Sequence, residues 1–317
     1  MRKPELGKTI ITIDCQYMYP EYAAAYLIIE GERAAFVDNN TRHAVPKLLN
    51  ALASTGLLPE QVTYLIITHV HLDHAGGTAA LLKHCPNAVV LAHPRAARHL
   101  INPAKLVGSA KALYGEANFM RLYGEIEPID ETRVIQVNDG DKLSLDSRTF
   151  QFIHTTGHAK HHMCVYDYGS GCIFTGDAFG LAYPLLQGGS EPFIFPSTSP
   201  TDFNSAEAQS SILKIIDTGA TIAYLTHFGA VKDIKLKMGK LISYLDTMGG
   251  MLQDAAISGL EDDDLNTFCY KAMLNFFRRE IERRGVPFNS NIQKFLQNDI
   301  ELNAKGIAVA AIKSGRR

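Results

Sequence analysis

The stretch IITHVHLDHAGG, residues 66–77, decides how the rest of the sequence is interpreted. Within six positions it places His69, His71, Asp73 and His74, which are residue types that can bind divalent metal ions. His69 and His71 are two residues apart, so in an extended chain both imidazoles lie on one side and reach one ion. Asp73 and His74 follow after the chain begins to turn and must point elsewhere. The spacing therefore favours a second ion beside the first, with further ligands supplied by distant strands.

The residues around this stretch indicate that it follows a buried strand. VTYLIITH, residues 62–69, is a continuous apolar run of strand length, and Gly76 and Gly77 precede the helical pattern TAALLKH. Strands also dominate the surrounding sequence, with hairpin turns expected at Gly31–Glu32 and at the Gly-Ser-Gly segment of residues 169–171. From about Lys232 onward the apolar spacing is wholly helical, with segments expected at 232–257, 262–284 and 290–313.

The order of the metal-binding residue types resembles that of the metallo-β-lactamase superfamily. Residues 69–74 match its H-x-H-x-D-H motif. TTGH, FTGD and LTHFG resemble the segments that carry the remaining ligands of that family, here His158, Asp177 and His227. All of them occur in family order at the ends of expected strands. The resemblance implies an α/β fold, a four-layered αββα sandwich with the site at one edge of its two sheets.

The same resemblance implies a binuclear centre, with two divalent metal ions as cofactors. Zinc is the expected metal, and His/Asp ligand sets also accept iron or manganese. The first ion is expected on His69, His71 and His158, and the second on Asp73, His74 and His227, with Asp177 between them.

Two such ions share a water molecule and lower its pKa towards neutrality, which makes a hydroxide nucleophile available. Asp73 is the expected catalytic residue, because a metal-bound carboxylate can orient that hydroxide and pass a proton to the leaving group. Asp38, in FVDNN, matches a position where the family commonly has a supporting aspartate. A turn-forming aspartate before Asn39 and Asn40 is the alternative reading of this residue.

The candidates for substrate contact are less specific. Tyr183 and Phe193 lie in the loop after Asp177, where an aromatic acyl pocket is one interpretation and loop packing is the other. His162 follows shortly after His158 and is expected to contact substrate or a metal ligand, whereas a packed strand residue is the plainer reading for His154. His93 ends a strand on the motif's side of the sheet and is a candidate for the pocket lining.

The composition narrows the class of protein. The chain has 317 residues, 46% of them apolar, which is enough for a large core, and its formal charge of −2 gives no basic face of the kind that binds nucleic acid. Five scattered cysteines without a C-x-x-C pair favour buried thiols in a reducing compartment, and we expect a cytoplasmic location. No apolar run has the length of a signal segment or a membrane span, so no membrane partner is expected.

The expected organisation is a core of residues 1–231 followed by a helical extension of residues 232–317. The core carries a helical insert at about 94–125, with Tyr114, Phe119 and Tyr123 as a second candidate wall of the site. The extension is expected either to cap the site or to form a homodimer interface.

The ligand set also selects among reactions. An aspartate at position 177 differs from the β-lactamases, and His71 stands where flavodiiron proteins have a carboxylate. The favoured function is a hydrolase whose metal-bridging hydroxide attacks a small-molecule thioester, ester or lactone, as in the glyoxalase II-like and lactonase-like branch. A phosphodiester or phosphotriester hydrolase and a diiron redox or sensor protein are the alternatives.

Overall fold

The strands of the chain form two sheets, each with six strands within the part of the chain that the structure describes. The structure is a computed structural model that describes residues 9–188, 192–198, 200 and 202–315. The first sheet has the order β1-β2-β3-β4-β5-β6. These strands are β1 (Thr9–Asp14), β2 (Ala24–Glu30), β3 (Arg33–Val37), β4 (Val62–Ile67), β5 (Val89–Ala92) and β6 (Val134–Gln136).

In the first sheet, β1, β2 and β3 are antiparallel neighbours, and β3 to β6 are parallel. The second sheet has the order β12-β11-β10-β9-β8-β7, in which only β10 and β11 are a parallel pair. Its strands are β7 (Lys142–Leu145), β8 (Arg148–His154), β9 (Met163–Asp167), β10 (Cys172–Gly176), β11 (Ile222–Leu225) and β12 (Gly229–Lys232).

The alternation of side chains along β2 shows where the core of the two sheets lies. Tyr26 and Ile28 point towards an apolar layer that also contains Phe152 and Phe174 of the second sheet. Leu27 and Ile29, one position along, belong to the cluster on the opposite face of the first sheet. Because successive side chains of a strand point to opposite faces, a strand covered on both faces is apolar throughout, as β2 is.

Helices cover the outer face of the first sheet. Leu48 and Leu52 of the first helix and Leu81 of a later one pack in the same cluster as Leu27. The helices in this part of the chain are α1 (Val45–Ser54), α2 (Leu72–Ala75), α3 (Thr78–His84), α4 (Pro94–Ile101), α5 (Ala104–Tyr114) and α6 (Glu116–Tyr123). The last three make up the expected helical insert.

The chain folds into two compact units. The first contains the chain as far as His154, His161–Gly176 and Thr218–Lys232, and therefore both sheets. The second contains Thr155–Lys160, Asp177–Asp217 and the chain from Asp233 onward. Its helices are α7 (Ser205–Asp217), α8 (Ile234–Ile257), α9 (Asp262–Glu282), α10 (Ser290–Phe295) and α11 (Gln297–Gly315). The helical extension thus belongs to the same unit as two segments that precede residue 231 in the chain.

The α/β class, the two sheets and the helical C-terminal region are confirmed. Two local predictions are wrong. Residues 229–232, left outside the expected elements, pair with β11 as an antiparallel strand, and the single helix expected at 290–313 is two helices that separate at Leu296. In the described residues, no helix combines the length and the apolarity that crossing a bilayer requires. Residues 1–8, part of the N-terminal stretch considered for a signal segment, lie outside the described residues.

Candidate metal centre

The edge of the first unit at which parallel strands end carries five of the candidate ligands: His69, His71, Asp73, His74 and His227. β3 ends directly before Asp38 and its parallel neighbour β4 ends directly before Thr68, so the two following segments start side by side. β11 of the second sheet ends directly before Thr226 and His227. The backbone N–H of Ala24 donates to the carbonyl of Thr226 at 2.7 Å, which joins the edges of the two sheets next to the site.

The opening motif changes from extended chain to helix within its six positions, as its sequence predicts. His71 is still extended, with φ −61° and ψ 145°, and α2 begins at Leu72. Nε2 of His69 and Nδ1 of His71 lie 2.9 Å apart, so these two nitrogens face one point. Asp73 and His74 follow on α2, and the His74 ring lies against that of His69, with centroids 4.0 Å apart.

Asp73, His74 and His227 form a compact group of ligand atoms. One ligand atom from each residue lies within 4.8 Å of the other two. Nε2 of His227 is 3.4 Å from Oδ2 of Asp73, and Nε2 of His74 is 4.0 Å from Oδ1 of the same carboxylate. Both imidazoles are buried and the Asp73 side chain is 26% exposed, so the group is open to solvent on the side of Asp73.

The remaining ring nitrogens of these histidines are held by oxygen acceptors. Nδ1 of His74 bonds to Oδ2 of Asp38 at 2.8 Å, and Nδ1 of His227 bonds to the carbonyl oxygen of Tyr22 at 2.7 Å. A histidine that donates one N–H to a carboxylate or carbonyl keeps its other nitrogen for a metal and has a fixed ring orientation. The donor set therefore fits a divalent ion.

Asp38 is the centre of a buried network that supports this arrangement. Its carboxylate accepts hydrogen bonds from the backbone N–H of Thr68 at 2.9 Å, from the Thr68 hydroxyl at 2.9 Å and from the Thr226 hydroxyl at 2.8 Å. Its backbone has a φ of +53°, which asparagine and aspartate tolerate better than most residues. Asp38 therefore turns the chain after β3 and also holds His74. A turn-forming aspartate and a supporting aspartate are thus compatible interpretations of this residue.

His158 and Asp177 lie in the second unit. There Nε2 of His158 is 3.4 Å from Oδ2 of Asp177, and Nδ1 of His158 bonds to the carbonyl oxygen of Ser197 at 3.2 Å. Nδ1 of His158 is thus held by an oxygen acceptor, as Nδ1 of His74 and of His227 is. The two side chains border a mainly apolar pocket that Leu241 and Leu245 of α8 also line, so the helical extension contributes to their surroundings.

Gly176 and His162 pack against the opening motif. His162 is fully buried, with its ring centroid 4.8 Å from that of His69. A Cβ atom on Gly176 would lie 2.6 Å from Nε2 of His162 and 2.8 Å from the Thr68 hydroxyl oxygen. Since Gly176 also has a φ of +48°, only glycine fits here without displacing these side chains. Contact between His162 and substrate stays a prediction.

His93 and His154 form a separate pair in the first unit, with ring centroids 4.0 Å apart. Nδ1 of His93 accepts a hydrogen bond from the backbone N–H of Arg95 at 2.9 Å and caps α4. Burial, with the nearby His154 and Arg95, lowers the pKa of His93 to about 4. These contacts give His93 a structural role as a helix cap.

Tyr183 and Phe193 do not have the positions expected of substrate contacts. Both side chains are fully buried, and the Tyr183 hydroxyl donates to Oδ1 of Asp299 at 2.9 Å. The Phe193 ring packs 5.2 Å from that of Phe195 and 6.1 Å from that of Tyr244. These contacts favour the second interpretation of both residues, loop packing, over an aromatic acyl pocket. Tyr183 packs on Phe295 of α10, and Phe193 packs on Tyr244 of α8 and Phe277 of α9.

Sequence reasoning missed the groups that orient the ligands from far along the chain. The Thr226 hydroxyl reaches Asp38 across 188 positions, and the Tyr22 carbonyl reaches His227 across 205. A threonine before a ligand histidine recurs at Thr68-His69 and Thr226-His227. Both threonine hydroxyls donate to Asp38. The repeated Thr-His pair is therefore the feature of the sequence from which a shared acceptor could have been predicted.

Comparison with known protein families gives a match over residues 18–227, which include all seven candidate ligands. The model of the metallo-beta-lactamase superfamily matches residues 18–227, about two thirds of the chain. A metallo-beta-lactamase fold-containing protein, ST1585 of Sulfurisphaera tokodaii, is 28% identical over 188 residues, which cover 57% of this chain and 64% of that protein. Hydroxyacylglutathione hydrolase of Aeromonas hydrophila is 28% identical over 131 residues, which cover 41% of this chain and 37% of that enzyme.

Two solved structures are similar to this chain over nearly its whole length. The crystal structure of ST1585 from Sulfolobus tokodaii has a TM-score of 0.65 at 21% identity and covers 95% of this chain and 98% of its own. A metallo-beta-lactamase family protein from Thermus thermophilus, TTHA1429, has a TM-score of 0.64 at 19% identity and covers 98% of this chain and 94% of its own. At these identities the similarity shows a shared fold.

Proposed function

Because this chain belongs to the metallo-β-lactamase superfamily, we propose that it is a binuclear metal-dependent hydrolase of a carboxylic thioester, ester or lactone. The observation that carries the proposal is the group of Asp73, His74 and His227. Their ligand atoms lie within 4.8 Å of one another, and both histidines are fixed through Nδ1. Buried imidazoles that are oriented in this way are typical of metal centres.

The ligand set that we propose has seven members. The first ion is held by His69, His71 and His158, and the second by Asp73, His74 and His227, with Asp177 shared. For His158 and Asp177 the support is the order of the motifs and the match of the family model, which includes both residues. Two divalent ions, which we propose to be zinc, would supply a strong nucleophile at neutral pH by lowering the pKa of water.

The proposed catalytic role of Asp73 is supported by its exposure and by its distance from His227. It is more exposed than the buried His74 and His227 beside it, so a water molecule and a substrate can approach it. The side-chain amide of Asn40 donates to the carbonyl oxygen of Asp73 at 2.8 Å and fixes the backbone of α2 at this point. We propose that the Asp73 carboxylate orients the attacking water and then passes a proton to the leaving group.

A carboxylic substrate is favoured over a phosphoester by one relative. Hydroxyacylglutathione hydrolase is named for the cleavage of a thioester, and its similarity to this chain is 28% identity over 131 residues. The match covers only 37% of that enzyme. We therefore do not propose that this chain recognises glutathione.

The test compares hydrolysis of three substrates by the purified protein after loading with zinc, manganese or iron. They are S-hexanoyl-N-acetylcysteamine, a γ-lactone and bis(p-nitrophenyl) phosphate. We expect metal-dependent hydrolysis of the thioester or the lactone to exceed that of the phosphodiester. A preference for the phosphodiester, or an oxygen-dependent spectrum of the iron-loaded protein without hydrolysis, would overturn the proposal.

The role of Asp73 is tested separately with Asp73→Asn. This variant keeps an oxygen ligand at this position but loses the charge that accepts a proton. We expect retention of at least one ion per chain and a fall in kcat of about 10²- to 10⁴-fold. A kcat within threefold of the unmodified protein would contradict the role.

A further inference from the structure

A mainly apolar pocket lies between α2 and the helical insert, within the first unit. Leu72 and Ala75 of α2 line it, and α2 is the short helix that also carries the proposed ligands Asp73 and His74. The pocket therefore begins at the segment that holds the candidate metal centre. The helical insert contributes further apolar side chains to the lining, those of Leu100, Pro103 and Leu106.

A row of imidazole rings joins this pocket to the first pair of proposed ligands. His99 of α4 lines the pocket, and its ring centroid lies 6.3 Å from that of His161. The His161 ring in turn lies edge-on to the His71 ring at 5.5 Å and 6.1 Å from the His69 ring. Rings at these separations pack as neighbours. A hydrocarbon chain that starts at His69 and His71 and follows this row thus reaches the pocket at His99.

The pocket is open at its rim and closed at its base. Leu72 and Leu100 are each 6% exposed, whereas Leu106 and Ile126 of the lining are half-buried. Helix α5, which carries Leu106, has no fully buried side chain, so little apolar burial holds it over the pocket. The free space is small, roughly that of one methyl group, and suits the end of a chain.

The charges around the pocket favour an uncharged ligand. Glu127 is the one charged residue in its lining among the residues that the structure describes. The Glu127 carboxylate pairs with Arg42 at 2.9 Å and also with Lys83. Arg98 and Lys105 of the insert are exposed and do not line the pocket. An anionic chain end would therefore meet a carboxylate and apolar side chains, which do not offset the loss of its hydration.

We propose that this pocket binds the end of an uncharged acyl chain of medium length, and that the chain passes from the metal centre to the pocket along His161 and His99. Medium length follows from the two ring contacts that separate His71 from His99, a distance that an acetyl group is too short to span. The inference rests on the proposed function and names the substrate class of the same centre. It assigns chain selection to the helical insert, which supplies none of the proposed metal ligands.

The first experiment measures binding without turnover. Ketone analogues of S-hexanoyl- and S-acetyl-N-acetylcysteamine, with CH₂ in place of sulfur, are titrated into the metal-loaded protein by calorimetry. We expect the hexanoyl analogue to bind at least tenfold more tightly, because its additional CH₂ groups are removed from water. A third analogue, with a carboxylate at the end of the six-carbon chain, is expected to bind at least tenfold more weakly than the hexanoyl analogue.

Two variants place the binding in the pocket. Leu106→Ala removes part of the rim, and we expect it to reduce the advantage of the hexanoyl analogue at least threefold. Leu113→Ala is the matched control on the same helix, because Leu113 is 40% exposed and does not line the pocket. His99→Trp enlarges the side chain at the entrance to the pocket. It is expected to weaken binding of the hexanoyl analogue at least threefold and that of the acetyl analogue less than twofold, with metal content unchanged.

The outcomes distinguish this inference from the proposed function. A hexanoyl advantage that Leu106→Ala reduces, without hydrolysis of any ester, would support the pocket and contradict the hydrolase. Thioester hydrolysis with equal KM for acetyl and hexanoyl substrates, and equal analogue affinities in Leu106→Ala and Leu113→Ala, would overturn the pocket and leave the hydrolase standing. Binding of the carboxylate-ended analogue as tight as that of the hexanoyl analogue, or no analogue binding by the unmodified protein, would also overturn the pocket.

Discussion

The carboxylate of Asp38 and Nδ1 of His74 are 2.8 Å apart, and both side chains are fully inaccessible to solvent. The same carboxylate accepts from Thr68 and Thr226, which precede His69 and His227. One buried aspartate thus connects the two segments that carry the candidate ligands of the first unit, residues 68–74 and 226–227. A buried carboxylate needs such donors to offset the cost of removing its charge from water.

Replacement of Asp38 by asparagine tests this connection. The amide offers one acceptor oxygen and places an N–H₂ group among the donors of Thr68, His74 and Thr226. We expect affinity for the second ion to fall by roughly 10- to 100-fold, measured by competition with a chromogenic chelator. Asp254→Asn on an exposed face of α8 is the control, and equal affinities in the two variants would contradict the role.

Gly176 and Gly171 provide a matched pair of glycines in the β9–β10 hairpin. Both have a positive φ, of +48° and +65°, but a Cβ on Gly171 would meet nothing within 4 Å. We expect Gly171→Ala to lower the free energy of unfolding by about 1 kcal/mol. Gly176→Ala should cost roughly 2–4 kcal/mol and reduce metal content, since it also displaces His162 or Thr68. Equal losses in urea denaturation would show that crowding at Gly176 is unimportant.

The His93 cap makes stability depend on pH. Burial, with His154 and Arg95, lowers the pKa of His93 to about 4 from its ordinary value of 6.5. Between these values the unfolded chain binds a proton that the folded chain does not, so stability is full above about pH 6.5 and falls as the pH is lowered towards 4.

His93→Asn keeps an N-cap acceptor for Arg95 and removes the titrating ring. We expect its free energy of unfolding to fall by about 1–2 kcal/mol less between pH 7 and pH 5 than that of the unmodified protein. His84→Asn, at an exposed helix end, should leave the pH profile unchanged. Parallel profiles of the His93 variant and the unmodified protein would refute this explanation.

Tyr183→Phe distinguishes packing from substrate contact in the second unit. The substitution removes the hydrogen bond to Asp299 and should lower the free energy of unfolding by about 1–3 kcal/mol. KM for the thioester should stay within twofold, as in the control Tyr168→Phe, whose side chain is 48% exposed. A KM increase of fivefold or more without loss of stability would restore the original expectation that Tyr183 binds substrate.

The parts of the structure that followed from the sequence depend on local patterns. The opening motif predicted an extended segment followed by a turn, and the structure has His71 extended and α2 directly after it. The division of its four residues between two ions stays a prediction. Apolar runs predicted the strands, and helical spacing predicted the insert and the C-terminal helices.

The parts that did not follow depend on tertiary contacts. The strand of residues 229–232 is too short to show an apolar pattern and forms through its pairing with β11. The division of the last helical segment at Leu296 has no glycine or proline to mark it. The approach of Tyr17 to Tyr123, 106 positions away, joins a loop to an insert and has no signature in either segment.

The central claim is that this chain holds two divalent ions on the proposed ligands. The most direct test is a crystal structure of the protein as isolated, with anomalous diffraction recorded above and below the absorption edges of zinc, iron and manganese. We expect two anomalous peaks about 3.5–4 Å apart, one within bonding distance of His69 and His71 and the other within bonding distance of Asp73, His74 and His227. A single peak, or none after incubation with excess metal, would contradict the account.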